Sequence, residues 1–183
     1  MKIIILGAGR VGESVAESLV SERNDITMID HDGDRLRALE DRFDLQGVVG
    51  NGAHPSILKA AGIEDADMMI ACSASDETNL VVCKVAHDVF GTPTTIARLR
   101  SPEYQDSPEL LSRTGFAVDH VICPEESVMK YIHQLIQYPE ALQIIHFSQG
   151  RASMVVVRAV AGSALVGKAL SEFKTLLPSA EMR

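Results

Sequence analysis

The chain has 183 residues, of which 46% are hydrophobic, 23% are charged and only 4% are aromatic. This composition is typical of a globular protein with an aliphatic core, as in a parallel sheet covered by helices. A formal net charge of −8 without basic runs argues against a nucleic-acid partner, and no apolar run reaches the roughly 20 residues of a membrane-spanning helix.

Apolar runs of strand length alternate with segments of helical period through most of the chain. Strands and helices are predicted in turn at Lys2–Leu6, Val11–Ser21, Ile26–Ile29, Asp32–Phe43, Gln46–Val49, Pro55–Ala61, Met68–Cys72, Asp76–Phe90, Thr94–Leu99, Ser107–Arg113, Val118–Ile122 and Glu125–Tyr138. Six repeats of strand and helix predict an α/β fold whose parallel strands are joined by right-handed crossovers. We therefore expect a doubly wound, six-stranded Rossmann sheet of order 3-2-1-4-5-6.

After the last of these helices the pattern changes. Two extended runs, Ala141–Phe147 and Ser153–Val160, predict a hairpin, and a helix is predicted at Leu165–Phe173. A hairpin with one helix buries too little apolar surface to fold alone. We expect residues 1–138 to form the Rossmann domain and residues 139–183 to begin a small, incomplete α+β subdomain.

The turn after the first strand carries the glycine spacing of a dinucleotide-binding loop, Gly7-Ala8-Gly9-Arg10-Val11-Gly12. The spacing is specific here because it follows an apolar strand and opens an amphipathic helix. Gly7 permits the tight turn, Gly9 lets a pyrophosphate approach the backbone, and Gly12 lets the helix pack on the strand. Free N–H groups and the positive dipole end of the helix then favour phosphate.

An acidic residue, Asp30, ends the second predicted strand, where its carboxylate can accept the hydroxyls of an adenosine ribose. Because a 2′-phosphate would meet a like charge there, NAD(H) or an unphosphorylated adenosine is favoured over NADP. The run from Asp30 to Asp34 also resembles the start of a calcium loop. Its sixth and twelfth positions are Arg35 and Asp41 instead of glycine and a bidentate acid, so we do not expect calcium binding.

Three further segments lie at the carboxyl ends of predicted strands, where open parallel sheets bind their ligands. They are Gly50-Asn51-Gly52-Ala53, Cys72-Ser73-Ala74-Ser75, and Arg98 with Arg100. Arg98, like Arg10 of the glycine loop, can reach a phosphate, and the alternative for Arg98 is a surface ion pair. We interpret Asp76 and Glu77 as acids stabilised by the dipole of a helix that Ser75 caps, not as catalytic or metal-binding residues.

No catalytic set accompanies these turns. The six histidines lack metal-binding spacing, no serine lies in a GxSxG turn, and the three cysteines form no CxxC pair. We expect free thiols in a reducing cytosol, and no signal peptide, because the chain starts directly with a strand. Hydride transfer needs a substrate pocket with a proton donor, so we expect no enzyme. A small NAD-dependent oxidoreductase stays as an alternative.

Two predicted helices are apolar on more than one side, Leu80–Phe90 and the last helix of the sheet domain. For both we expect burial against another copy of the chain. The alternative for the last helix is a fully buried core position.

Several segments together resemble one protein family. The opening MKIIILGAGRVGESVAESLVSERNDITMIDHD, the turns CSASDETN, IARLRSPEY and DHVICPEE, and the late PEALQIIHF and GSALVGKALSE are similar to the RCK family, also called KTN. The similarity is to the peripheral regulatory subunits of bacterial potassium-uptake systems and runs over essentially the whole chain.

The resemblance implies a homodimer or larger ring that docks, on the cytoplasmic face of the plasma membrane, on a membrane potassium transporter subunit. NAD(H) or ATP/ADP would bind as an effector and not as a reactant. The family's nucleotide contacts correspond here to Gly7, Ala8, Gly9, Arg10, Val11, Asp30, Asn51, Gly52, Ser73, Ala74 and Arg98. Arg10 adds a cation that favours a polyphosphate. A regulatory domain of another potassium channel or exchanger is the remaining alternative.

Overall fold

A computed structural model describes residues 1–20, 22, 24–139, 141–147, 151–163, 166–169 and 172 of the chain. The chain divides into two compact units, Met1–Glu125 and Glu126–Arg183. The expected domain boundary after residue 138 stays a prediction. Among the described residues, no helix is long and apolar enough to cross a membrane.

The first unit alternates strands and helices as predicted. Its elements are β1 (Lys2–Leu6), α1 (Arg10–Val20), β2 (Asp25–Asp30), α2 (Gly33–Glu40), β3 (Gln46–Val49), α3 (Pro55–Ala60), β4 (Met68–Ala71), α4 (Asp76–Phe90), β5 (Thr94–Arg98), α5 (Pro102–Gln105), α6 (Pro108–Leu111) and β6 (His120–Ile122). A short 3-10 turn at Ile63–Asp65, which the sequence analysis did not predict, precedes β4. Helix α7 (Pro124–Gln137) begins at the end of this unit.

The six strands form one parallel sheet of order β3-β2-β1-β4-β5-β6, which confirms the predicted Rossmann topology. Strand β1 lies at the centre, with Ile5 opposite Met28 of β2 and Ile70 of β4. The chain reverses its direction of winding between β1 and β4. That switch point opens a crevice at the carboxyl ends of the strands.

Helices cover both faces of the sheet, which explains why the strands read as continuous apolar runs. Alternate residues of β1 enter different cores: Ile4 packs with Leu58 of α3 and Leu80 of α4 on one face. Ile5 packs with Leu36 of α2 on the other. All five side chains are at most 1% exposed, and burial of such a side chain contributes about 1.5–3 kcal/mol.

The helix predicted at Ser107–Arg113 is present but shorter, since α6 spans only Pro108–Leu111. A second single-turn helix, α5, precedes it and was not predicted, and both helices have a proline in the first turn. Pro108 sterically disfavours the helical conformation of the residue before it, and Ser107 has φ −120° and ψ 71°. The chain therefore breaks at Ser107 and restarts at Pro108.

The second unit contains an antiparallel hairpin of β7 (Ala141–Phe147) and β8 (Ala152–Val157), as predicted. Of the helix predicted at Leu165–Phe173, only residues 166–169 and 172 are described, and residues 166–169 form a turn followed by irregular chain. The rest of that prediction lies outside the described residues.

Helix α7 lies mostly in the second unit, and its core position stays an alternative. Its large apolar side chains are exposed, for example Met129 at 64% and Ile136 at 74%. Helix α4 is mixed: Leu80 is buried, whereas Val81 and Val89 are exposed. Burial of these surfaces against a second copy stays a prediction.

Candidate nucleotide site

A cleft of about 890 Å³ lies at the carboxyl ends of the strands, and residues at or just after the end of each of the six strands contribute to its walls. Its size is in the range of small-molecule and cofactor sites. Ten of the twelve predicted site residues line it: Gly7, Gly9, Arg10, Val11, Asp30, Asn51, Gly52, Ser73, Ala74 and Arg98. The other two, Ala8 and Gly12, lie in the glycine loop but do not line the cleft.

The three glycines of the loop differ in what surrounds them. Gly7 has φ +102°, and a Cβ on it would lie 2.9 Å from the carbonyl oxygen of Cys72. A Cβ on Gly12 would lie 1.9 Å from the carbonyl oxygen of Gly7. A Cβ on Gly9 would meet nothing within 4 Å. The fold itself therefore requires Gly7 and Gly12, whereas Gly9 faces open space of the kind that a pyrophosphate needs.

Asp30 is 7% exposed and already serves the protein. Its Oδ2 accepts the Ala8 N–H at 2.6 Å, and its Oδ1 accepts the Asp32 N–H at 2.9 Å and lies 3.0 Å from His31 Nδ1. A carboxylate has about four lone-pair sites, so one remains for a ligand. From the sequence, Asp30 is predicted to be a ribose ligand alone. The structure adds that Asp30 fixes the glycine loop through the Ala8 N–H, so that Ala8 acts on the site through this bond.

The turn that follows β3 contributes a small rim to the cleft. Asn51 is exposed and its Oδ1 accepts the Ala53 N–H at 3.0 Å. Gly52 is buried, and a Cβ on it would lie 2.5 Å from a methyl group of Leu6. Because this turn lies against the end of β1, the rim closes the side of the cleft nearest Asp30.

Arg98 lies in the cleft and also forms an ion pair, so both interpretations of this residue describe part of its surroundings. Its side chain is 16% exposed, and its Nη2 donates to Glu125 Oε1 at 3.0 Å. Its buried Nε has no hydrogen-bond partner among the described residues. A buried donor without an acceptor is costly.

Glu125, the partner of Arg98, also lines the cleft and was not predicted. Its own backbone N–H holds the pKa of the Glu125 carboxyl below its usual range, with Arg98 adding to this effect and partial burial opposing it. A carboxylate at this place repels incoming phosphate. The only sequence signal was its position at the start of a helix after a strand.

Two polar residues at the start of α4 accept backbone N–H groups. Asp76 is predicted to be an acid stabilised by the helix dipole. The structure shows it 8% exposed, with Oδ2 accepting the N–H groups of Arg100 and Ser101, each at 2.8 Å. Ser75 caps α4 by accepting the Thr78 N–H at 3.1 Å, as expected.

The thiol nearest the cleft is not a nucleophile at neutral pH. Burial raises the pKa of Cys72 to about 11, although Arg98 lowers it in part. Burial likewise raises the pKa of Cys83 to about 12. In the part of the chain that the structure describes, no three His, Cys, Asp or Glu side chains are grouped to hold a metal ion.

Residues 3–124 match the family model described as the TrkA-N domain. The Trk system potassium uptake protein TrkA of Vibrio alginolyticus is 50% identical over 184 residues, which cover 100% of this chain and 40% of that protein. The protein of the same name from Haemophilus influenzae is 48% identical, with the same coverage. This chain thus spans about 40% of the length of these curated relatives.

Solved structures share the fold at low sequence identity. The TrkA-N domain of the inner membrane protein ybaL from Escherichia coli has a TM-score of 0.64 at 21% identity and covers 74% of this chain and 96% of that one. GsuK bound to ADP has a TM-score of 0.63 at 22% identity, covering 76% of this chain and 34% of that one. The GsuK channel bound to NAD has a TM-score of 0.61 at 17% identity, covering 80% and 25%.

Proposed function

The chain belongs to the TrkA-N domain family, and from that membership we propose that its first unit binds an adenine nucleotide, NAD(H) or ATP/ADP, as an effector of potassium uptake. The observation that carries the proposal is the open space over Gly9 in the same cleft that Arg98 lines. The fold relatives GsuK bound to ADP and GsuK bound to NAD support this ligand class.

The proposed pose follows the chemistry of the walls. The remaining lone pair of Asp30 accepts a ribose hydroxyl, and the turn of Asn51 and Gly52 lies beside the adenine. The phosphates lie over Gly9 at the N-terminus of α1, where free N–H groups and the helix dipole favour negative charge. Four further residues of the cleft lie along the ribose and phosphates: Arg10, Ser73, Ala74 and Arg98.

The nucleotide acts as a signal in this proposal. A ligand shifts a two-state assembly only by its different affinity for the two states. The Arg98–Glu125 pair is a contact that can differ, because a phosphate competes with Glu125 for the same guanidinium, and Glu125 lies in the first turn of α7. Occupancy of the cleft would in this way change how the start of α7 is held.

For the whole protein we propose a regulatory role on a membrane potassium transporter subunit, as a homodimer or larger ring at the cytoplasmic face of the membrane. The names of the curated relatives support this role. Their 50% and 48% identity favours an uptake system over another potassium channel or exchanger.

A small NAD-dependent oxidoreductase is the second candidate, favoured only by the shared cleft architecture. Hydride transfer requires a proton donor beside the nicotinamide. Among the described residues, the cleft places His31 at the Asp30 end and Cys72 as a buried thiol with a raised pKa. Neither group suits that role.

The test is a binding and turnover comparison on one preparation. We expect calorimetry to detect ADP, ATP, NAD or NADH binding at a single cleft, and absorbance at the nicotinamide band to show no oxidation or reduction with alcohol, aldehyde and quinone substrates. Absence of binding by all four nucleotides would contradict the proposal. Turnover of bound nicotinamide would favour the oxidoreductase instead.

A further inference from the structure

We propose that Asn79 is a positioning residue for the phosphate end of the nucleotide cleft, acting through the backbone of Arg98. The inference rests on the proposed function, because it concerns the affinity of the same site. Asn79 lies in the second turn of α4, is 0% exposed, and does not line the cleft. A fully buried amide in a helix is unusual, because its donors and acceptor need partners.

The amide of Asn79 joins two separate stretches of chain. Its Oδ1 accepts the Ser73 N–H at 2.9 Å, and its Nδ2 donates to the carbonyl oxygens of Ser73 at 3.3 Å and Arg98 at 2.7 Å. Ser73 lies in the turn after β4, and Arg98 is the last residue of β5. Three of the four hydrogen bonds that an amide can make therefore hold backbone groups of Ser73 and Arg98, two residues that line the cleft.

These hydrogen bonds take the place of backbone pairing beyond the point where β4 and β5 stop pairing. The parallel pairing of β4 with β5 stops at Ala71 and Ala97, because the chain after β4 turns away to enter α4. Beyond that point the backbone groups of Ser73 and the carbonyl of Arg98 need new partners, and Asn79 supplies them. The amide thus continues the alignment of the two strands into the turns that form the cleft.

The position of the Arg98 guanidinium depends on this alignment. Its side chain leaves the Cα next to the carbonyl that Asn79 holds, and it then runs, mostly buried, to Glu125 with its Nε unpartnered among the described residues. Asn79 itself is fixed, since its N–H donates to the Ser75 carbonyl in the capped first turn of α4. A displacement of the Arg98 carbonyl by a fraction of an ångström would move the guanidinium donors of Arg98 away from a bound phosphate.

The test is a double-mutant cycle on ADP affinity with N79A, R98A and the double variant. If Asn79 acts by placing Arg98, each single variant should weaken ADP binding by about tenfold, and the double variant should be little weaker than R98A alone. Independent effects, which would multiply to about a hundredfold loss, would overturn the proposal. So would unchanged affinity in N79A.

The matched control is T95V. Thr95 is also 0% exposed and lies on β5, but at its opposite end, where its hydroxyl donates to the Ala117 carbonyl. T95V and N79A should both lower the melting temperature, yet T95V should bind ADP like the unaltered chain. Equal loss in both would overturn the positioning role. Should N79A not fold, N79S, which is smaller but polar and adds no charge facing the Ser73 and Arg98 carbonyl oxygens, takes its place in the cycle.

Failure of the proposed function gives a different pattern. If the unaltered chain binds neither ADP nor any other adenine nucleotide, the function itself is wrong. If the unaltered chain and N79A bind equally well, the function stands and the role of Asn79 does not.

Discussion

Asp30 illustrates how one side chain can hold a loop and offer a ligand contact together. Its two carboxylate oxygens fix the backbone of Ala8 in the glycine loop and of Asp32 at the start of α2. Loss of the carboxylate would leave a buried N–H without an acceptor, which costs about 1–3 kcal/mol. Any variant of Asp30 therefore has to be judged on stability and affinity separately.

We expect D30A to lower the melting temperature and to weaken binding of NAD and ADP by about tenfold or more, since a buried acceptor for the ribose is lost. Differential scanning calorimetry and titration calorimetry measure the two effects. The control is D32A, which removes the α2 cap that holds the N–H groups of Asp34 and Arg35. D32A should lower stability with little change in affinity, and unchanged affinity in D30A would remove the ribose assignment.

E125Q should have the opposite effect on affinity. In magnesium-free buffer we expect E125Q to bind ADP about two- to fivefold more tightly, because a carboxylate that repels phosphate and occupies Arg98 is gone; the gain is small since ion pairs this exposed contribute about 0–1 kcal/mol. E64Q, which breaks a surface pair with Lys59, is the control. Weaker ADP binding in E125Q would contradict the competition between Glu125 and phosphate.

Among the secondary-structure elements, those with local signals were predictable. The apolar run of β1, the glycine turn and the stop of α4 at Gly91 with φ +72° follow from residue type. Helix α5 was not predicted, although Pro102 marks its first turn. Its single turn is too short to show a helical period.

Only the part of the cleft that is formed at the ends of the strands was predictable from the sequence. A parallel sheet brings its carboxyl ends together, so the turns after β1 to β5 could be named from the sequence. Asn79 and Glu125 could not, because their contacts with Arg98 span 19 and 27 residues and depend on side-chain placement. An asparagine inside a helix, where its propensity is poor, was the available hint.

Asp119, the residue directly before β6, makes the clearest pH-dependent contribution to the free energy of unfolding. Burial opposes ionisation of Asp119, but the Thr95 N–H and the Arg113 guanidinium outweigh it and hold the pKa of Asp119 below its usual range. A carboxyl with a depressed pKa in the folded state stabilises the fold above its unfolded pKa, and this stability is lost as the pH falls through the folded pKa.

D119N should therefore lower the free energy of unfolding at pH 7 and reduce its fall between neutral and strongly acidic pH, as measured by urea denaturation. D65N is the control, since Asp65 is 82% exposed and its partner is a single surface lysine. A pH dependence that is the same in D119N and the unaltered chain would contradict this assignment.

At the scale of the whole molecule, exposed apolar surface predicts association. In α7, Met129 and Ile136 are seven residues apart and thus share one face, with exposures of 64% and 74%. Monomeric proteins seldom leave such a row of large side chains in water. We expect the chain to self-associate in sedimentation experiments.

I136D should shift the chain toward the monomer in sedimentation velocity, because a buried charge opposes the apolar contact. V49D, at a 58% exposed site on β3, is the control and should leave the sedimentation coefficient unchanged. A monomeric unaltered chain would contradict the predicted homodimer or ring, while the nucleotide cleft would be unaffected.

In the proposed function, the space over Gly9 holds the phosphates of an adenine nucleotide. The ADP affinity and the melting temperature of G9A test this placement, because a Cβ on Gly9 meets no protein atom within 4 Å. The control G33A adds the same methyl group at the start of α2, outside the cleft. We predict that G9A melts like the unaltered chain and loses ADP binding by about tenfold or more, while G33A binds normally; full ADP affinity in a stably folded G9A would contradict the claim.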